Sequence, residues 1–160
     1  MKYPKGDPHA LREKFWTALV ESPFVMLQLE SDPHTAAPMT AQLDADADHA
    51  IWFFIHRDHK LAALGQADAT FSSKGHEVFA RFHGTLAAED DRATLDRHWK
   101  NAAQAWFPGG KDDPSLRFVR MDLGEATIWQ GKLGPEAMAK VRLGKDVRDE
   151  VAGTYADTTL

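Results

Sequence analysis

The sequence predicts a mainly β (α+β) chain: a mainly antiparallel barrel with helices packed outside it. Two observations carry this. Strand-like segments recur along the chain, about six in all, and Val78, Ala80, Phe82, Gly84 and Leu86 alternate with Phe79, Arg81, His83 and Thr85 at period two. Helical patterning is confined to about four short stretches, too few to cross over each strand pair as a parallel sheet requires.

Asp7 suits an N-cap and Pro8 the first helical position, and Leu11, Phe15 and Leu19 then recur every four residues on one face. Pro23 ends that helix, because proline disfavours helical geometry at the preceding Ser22. Phe24–Leu29 reads as a strand, followed by a turn at Ser31-Asp32-Pro33 and a second strand over residues 35–43. The run Asp44-Ala45-Asp46-Ala47-Asp48 cannot bury its charges and reads as a solvated hairpin loop. Ile51-Trp52-Phe53-Phe54-Ile55 is continuously apolar, the pattern of a strand covered on both faces.

A short helix then runs through Leu61 and Leu64 to Gly65, with a strand at residues 69–72 and the long alternating strand from Val78. Asp90-Asp91 cap a helix carrying Leu95, Trp99, Ala102 and Trp106 on one stripe, closed by Gly109-Gly110. Residues 116–123 and 126–130 form a strand pair or one long bent strand, interrupted at Gly124. Pro135 starts a last helix that ends near Gly144, and the tail over about residues 134–160 reads as helical. No internal repeat or long linker interrupts the sequence, so residues 1–160 read as one domain.

Composition excludes several classes of function. Lys plus Arg number 19 against 24 Asp plus Glu, a net charge of -5 that argues against a basic nucleic-acid surface. With no cysteine there are no disulfides, thiolate zinc sites, cysteine nucleophiles or iron–sulfur clusters. No apolar run reaches the roughly 18 residues of a membrane span, and residues 1–8 lack an apolar signal core, so a cytoplasmic protein is expected. The 5 Trp exceed what a core of this size needs.

The strongest local signal is the stretch from Ile51 to Lys60. A dry strand delivers the chain to Arg57, His59 and Lys60 at the start of a helix, a place where backbone N–H groups and cations together can hold a phosphate. An ordinary solvated basic turn has the same composition. The 8 His include the pairs His56/His59 and His76/His83, but neither has metal-ligand spacing with a carboxylate, so hydrogen-bonded or surface histidines are expected. His76 and His83 fall seven apart on a predicted strand and so point to opposite faces. No serine sits in a nucleophile elbow, and Asp112-Asp113 beside Pro114 reads as a solvated turn. Trp106 and Phe107 are adjacent, so one of them faces something other than the core.

Taken in order, the segments resemble the general stress protein branch of the pyridoxamine 5'-phosphate oxidase-like, flavin-binding split-barrel superfamily. The residues that carry the resemblance are Pro38-Met39, Ile51-Trp52-Phe53-Phe54 with Lys60, His83-Gly84-Thr85-Leu86, and Trp99. The stretch Trp106-Phe107-Pro108-x-Gly110-x-Asp112-Asp113-Pro114 and Ala126-Thr127-Ile128-Trp129 complete it. The resemblance runs from the first helix to Gln130.

It implies a six-stranded antiparallel split barrel that forms a homodimer, with a flavin, FMN or else FAD, in each cleft at the subunit interface. Pro38, Met39 and Thr40 would run along the flavin. The segment from Phe54 and Ile55 to Lys60 would bind its phosphate through Arg57, His59 and Lys60, and Trp106 would lie near the cleft. Two positions depart from the pattern: Ala37 stands where members commonly carry arginine, and Ile55 where they carry threonine. The resemblance therefore implies a flavin-binding stress protein; as an enzyme it would be an FMN-dependent oxidoreductase. Pyridoxamine phosphate oxidation is not expected, because that enzyme's substrate-phosphate cluster and C-terminal Arg motif have no counterpart here. The alternative is a dimeric scaffold that has lost its cofactor. No nucleic acid, membrane or metal partner is implied.

Overall fold

In the computed structural model, residues 3–131, 135–144 and 153–160 are described. Helix α1 (Pro8–Glu21) begins where Asp7 accepts from the His9 N–H at 3.0 Å and buries Leu11, Phe15 and Leu19 as one stripe. Seven strands follow: β1 (Phe24–Leu29), β2 (Asp32–Thr40), β3 (Ala50–His56), β4 (Gly65–Ser72), β5 (Val78–Ala88), β6 (Leu116–Gln130) and β7 (Thr154–Thr159). All ladders are antiparallel, in the order β2-β1-β4-β5-β6-β3 with β7 added on β6. The sheet curls into a barrel, as the patterning predicts, and is split, as the resemblance implies, but it has seven strands among the described residues and not six, because β7 adds to β6.

Two apolar cores sit on opposite faces of β3, which explains why that strand has no polar alternation. Ile51, Phe53 and Ile55 point into the barrel with Val25, Leu27, Phe71, Phe82, Val119 and Met121. Trp52 joins Leu95, Phe107, Leu116 and Phe118 in a second, outer cluster, against which Phe54 and Trp99 pack. A single 3-10 turn over Lys60–Ala63 adds Leu61 and Ala62 to the barrel core. No helix among the described residues is long and apolar enough to cross a membrane.

Several expectations need correction. β2 starts and ends three residues earlier than residues 35–43, because a tight turn lets pairing begin at Leu29↔Asp32. Thr35 fastens that turn, its Oγ1 accepting from the Leu29 N–H at 2.8 Å and donating to the Asp32 carbonyl at 2.6 Å. The Asp44–Asp48 stretch is not a hairpin loop: β3 ladders with β6, and only one isolated bridge, Gln42↔Trp52, joins the end of β2 to it. Nor is the stretch fully solvated, since the Asp44 side chain is 18% exposed and meets Arg97.

The helix expected across residues 92–108 is broken. Its first piece, α2 (Arg92–His98), is capped by Asp91, Trp99 leaves helical geometry at ψ 120°, and α3 (Asn101–Gln104) is a separate turn. Trp99 and Trp106 therefore do not share a helical face. His76 lies in the turn before β5 at φ 56°, not on the strand. Helix α4 (Pro135–Arg142) falls where expected, but the tail is not helical throughout: Thr154–Thr159 is a strand. The part of that expectation over residues 145–152 lies outside the described residues.

Gly84 is required by space. A Cβ there would meet the Asp122 carbonyl oxygen at 2.6 Å, where β5 and β6 shift register between Phe82 and Gly84. Gly84→Ala should destabilise the fold by about 1–3 kcal/mol, an overpacking cost. It would be read as a lower denaturant midpoint at unchanged m.

Candidate functional site

The barrel's split follows from hydrogen-bond bookkeeping between β2 and β3. At its closed end, Gln42 N–H donates to the Trp52 carbonyl at 2.7 Å and Trp52 N–H returns a bond to the Gln42 carbonyl at 3.0 Å. In an antiparallel ladder such doubly bonded pairs recur every second residue. Continuing the register would pair Thr40 with Phe54 and Pro38 with His56, and no bridge forms at either place.

The reasons are local. Pro38 has no N–H to give. The His56 carbonyl is already taken by the His59 N–H at 2.9 Å, and the Thr40 carbonyl accepts from Gln42 Nε2 at 3.3 Å. Ala41 N–H turns the other way, to the Pro23 carbonyl at 2.7 Å, which keeps odd-numbered β2 residues facing β1. The even-numbered backbone groups of Pro38 and Thr40 thus face those of Phe54 and His56 across an open seam. Pro38 and Thr40 are exposed, and Met39 packs against the barrel core.

At the open end lies the basic turn. Arg57 N–H donates to the Ser115 carbonyl at 2.8 Å. His59 caps the following 3-10 turn, its Nδ1 accepting from the Leu61 N–H at 3.1 Å. An accepting Nδ1 in the neutral ring puts the proton on Nε2, leaving a donor directed away from the turn. Lys60 is exposed and has no ion pair among the described residues. The turn satisfies more of its own N–H groups than its sequence suggests, so side chains rather than a bare helix end supply its capacity for an anion.

The stretch from Trp106 to Pro114 forms the neighbouring wall. Phe107 is buried (2% exposed) and stacks on the His56 ring at 4.6 Å, while Trp106 is 72% exposed. One ring faces inward and the other outward, as their adjacency predicts. Asp113 organises this loop. Its carboxylate accepts from the Gly109 N–H at 2.8 Å, the Ser115 N–H at 2.9 Å and the Ser115 hydroxyl at 2.6 Å. The Ser115 hydroxyl, then the Ser115 and Gly109 amides, hold the Asp113 carboxyl below its ordinary range, with the nearby His56 adding to the shift.

Of the residues expected at the site, Pro38 and Thr40 lie on one edge of the unpaired seam and Phe54 on the other, and His59 and Lys60 follow in the turn after β3. Ile55 does not reach it by its side chain, which is 2% exposed inside the barrel. Arg57 lines a separate cleft of about 540 Å³ with Arg117, Asp90 and Asp113. Trp106 precedes the loop that Asp113 fastens, and no contact joins it to the seam among the described residues. Sequence reasoning passed over Gln42 and the backbone role of His56, and it read Asp113 only as part of a solvated turn; the signal for its loop-fastening role was an Asp two residues before a Ser, an Asx-type turn. Among the described residues no group of three His, Asp or Glu is placed to share a metal ion.

A curled antiparallel sheet closed by one bridge, with a basic turn and an aromatic loop at its open end, defines a split barrel in architecture. The family described as pyridoxamine 5'-phosphate oxidase like matches residues 11–149, and the chain belongs to that family, in its general stress protein branch. A candidate general stress protein 26 from Jannaschia sp. CCS1 superposes with TM-score 0.79 at 28% identity, covering 96% of this chain and 100% of that one. The general stress FMN/FAD binding protein from Xanthomonas citri matches with TM-score 0.70 at 42% identity over 76% of this chain and 89% of that one. A general stress family protein from Xanthomonas campestris pv. campestris gives 0.67 and 41% over 77% and 90%. No curated protein matches the chain.

Because Asp113 is held below its ordinary value of 3.8, the loop's stabilisation is present above that value and is lost as pH falls through the folded one. Asp113→Asn should expose the loop to proteolysis at neutral pH and remove that acid-dependent step. Limited proteolysis between Gly109 and Ser115 as a function of pH measures it.

Proposed function

We propose that the chain is a cytoplasmic flavin-binding protein that takes FMN in the seam between β2 and β3. Two copies would assemble so that Trp106 of each walls the cleft of the other. The single observation that carries this reading is the unclosed seam. The N–H groups of Thr40, Phe54 and His56 and the Phe54 carbonyl lie along a gap that Pro38 keeps from zipping, with cations at one end. The flavin-binding designation of the 42% identical Xanthomonas citri protein supports the same ligand class.

The residues present fit such a ligand. A planar heterocycle with amide-like edges suits the paired backbone edges, and a phosphomonoester suits Lys60 and the His59 Nε2–H. Arg57, which lines the adjoining cleft, would reach the phosphate only from that side. Ala37 and Ile55 supply no polar atom: both pack with the barrel core. The phosphate would therefore rest on fewer charge-assisted bonds than the resemblance implies, and the backbone edges carry more of the recognition.

A bound flavin supplies electron transfer in one- or two-electron steps. The chain's own part is binding and orientation: Pro38 to Thr40 along one edge, Phe54 and His56 along the other, and Trp106 limiting access of water. If FMN added to the purified chain produced neither fluorescence quenching nor a thermal shift, the flavin reading would be lost. Lys60→Ala should weaken FMN about tenfold, some 1.4 kcal/mol, while changing riboflavin by no more than about twofold, since the lost contact is to phosphate.

A further inference from the structure

Seven large apolar side chains are exposed among the described residues, and three of them, Phe24 (60%), Met26 (46%) and Phe79 (38%), share one face of the sheet. Strand alternation puts them there. Val25, Leu27 and Leu29 of β1, Ala67, Ala69 and Phe71 of β4, and Val78, Ala80 and Phe82 of β5 point into the barrel core, so the residues between them point outward. Register then draws the face as two rows. Pro38, Met26 and Thr70 follow one another across β2, β1 and β4. Thr40 pairs with Phe24 on one side of the second row, and Ser72 with Phe79 on the other, where the half-buried Trp129 of β6 continues it.

No residue of these rows is charged. Charges begin only at the border: Arg81 stands opposite Thr70, and Asp68, two residues further along β4, is turned to His83 at 3.3 Å. Helix α1 buries its apolar stripe in the barrel core, on the other side of the sheet. Exposed apolar side chains gathered in this way mark an interaction surface. Charge selects the occupant. A strongly charged partner would find nothing on this face to pair with. A second copy of the chain carries the same net charge of -5, and it escapes like-charge repulsion by meeting the first through uncharged surface.

We propose that two copies of the chain pair face to face through this patch, about a two-fold axis that crosses β1 near Phe24 and Met26. A two-fold contact sets the patch against itself, so rings and thioether meet rings and thioether, and the Arg81 and Asp68 of each copy stay at the rim. The inference rests on the dimer reading above and adds the surface that makes it. Pro38 and Thr40 border the patch on β2, so the second copy lies along the same strand that edges the seam.

Sedimentation equilibrium of the full chain at micromolar concentration, with no flavin added, tests it. A dimer is expected. Met26→Lys and Met26→Glu change an exposed position and leave the barrel core intact, and each should weaken pairing by about 100-fold, because like charges would face each other across the axis. Mixing the two variants should restore a dimer that contains one chain of each, a rescue that no folding defect would produce. A monomeric unmodified chain, a dimer that survives both Met26 substitutions, or a mixture that stays monomeric would each overturn the proposal. FMN titration of the same samples separates this inference from the flavin reading: FMN bound by a monomeric chain would remove the pairing surface and leave the flavin site standing.

Discussion

One pair of backbone hydrogen bonds, Gln42 with Trp52, decides what this barrel is. Without it β2 and β3 would be two free sheet edges, and edges of that kind invite pairing with other chains. With the ladder continued past it, the barrel would be closed and the seam would hold nothing. The chain stops the ladder after one step by means readable in single residues. Pro38 lacks the donor, His59 occupies the His56 carbonyl, and Gln42 itself bends back to the Thr40 carbonyl. Each removes a bond that would be worth about 1 kcal/mol in the closed ladder. The seam stays open because its closure has been made unprofitable at two consecutive register positions.

Trp52 connects this seam to the outer core. Its backbone closes the barrel, its indole N–H is held by Glu89, and its ring carries His98, through which α2 packs on the sheet. From there the rings run on: His98 to Phe118, Phe118 to Phe54, Phe54 to Trp99, Trp99 to Phe107, and Phe107 to His56. The last ring returns to the strand that began the series, at the open end of the seam. The outer cluster thus braces the whole length of β3. A change in the loop from Trp99 to Ser115 reaches the seam through ring contacts and through the Arg57–Ser115 backbone bond.

Much of the fold was legible because the barrel obeys period two where one face is wet. The alternation in β5, the stripe of α1 and the two-sided apolar run of β3 each name their environment in the sequence itself. What was hidden has physical causes. The strand β7 places only Ala156 in the core among Thr, Tyr and Asp, so it has almost no apolar signature; it forms because β6 offers it a ladder. The break in the helix after His98 is a tertiary override, Trp99 leaving helical geometry to meet Phe54 and Phe107 although its spacing from Leu95 and Ala102 fits a helix. For the site, residue types were legible and directions were not: Ile55 points into the barrel from β3, whereas Arg57 lies just past the end of that strand, where alternation no longer holds, and lines a separate cleft.

The tryptophans show how far composition can be taken. Trp52 and Trp99 belong to the outer cluster, Trp16 packs against the barrel core, and Trp129 lies half-buried on the sheet's outer face opposite Phe79 and Tyr155. Only Trp106 is left largely in solvent, although Phe107 beside it is anchored and Asp113 fixes the loop that bears both. A large exposed ring on a backbone anchored at the neighbouring Phe107 offers apolar area that a partner surface could cover. The surplus of tryptophan that the sequence announces therefore reduces to one residue. Its placement follows from a carboxylate that the sequence alone gave no reason to separate from an ordinary acidic turn.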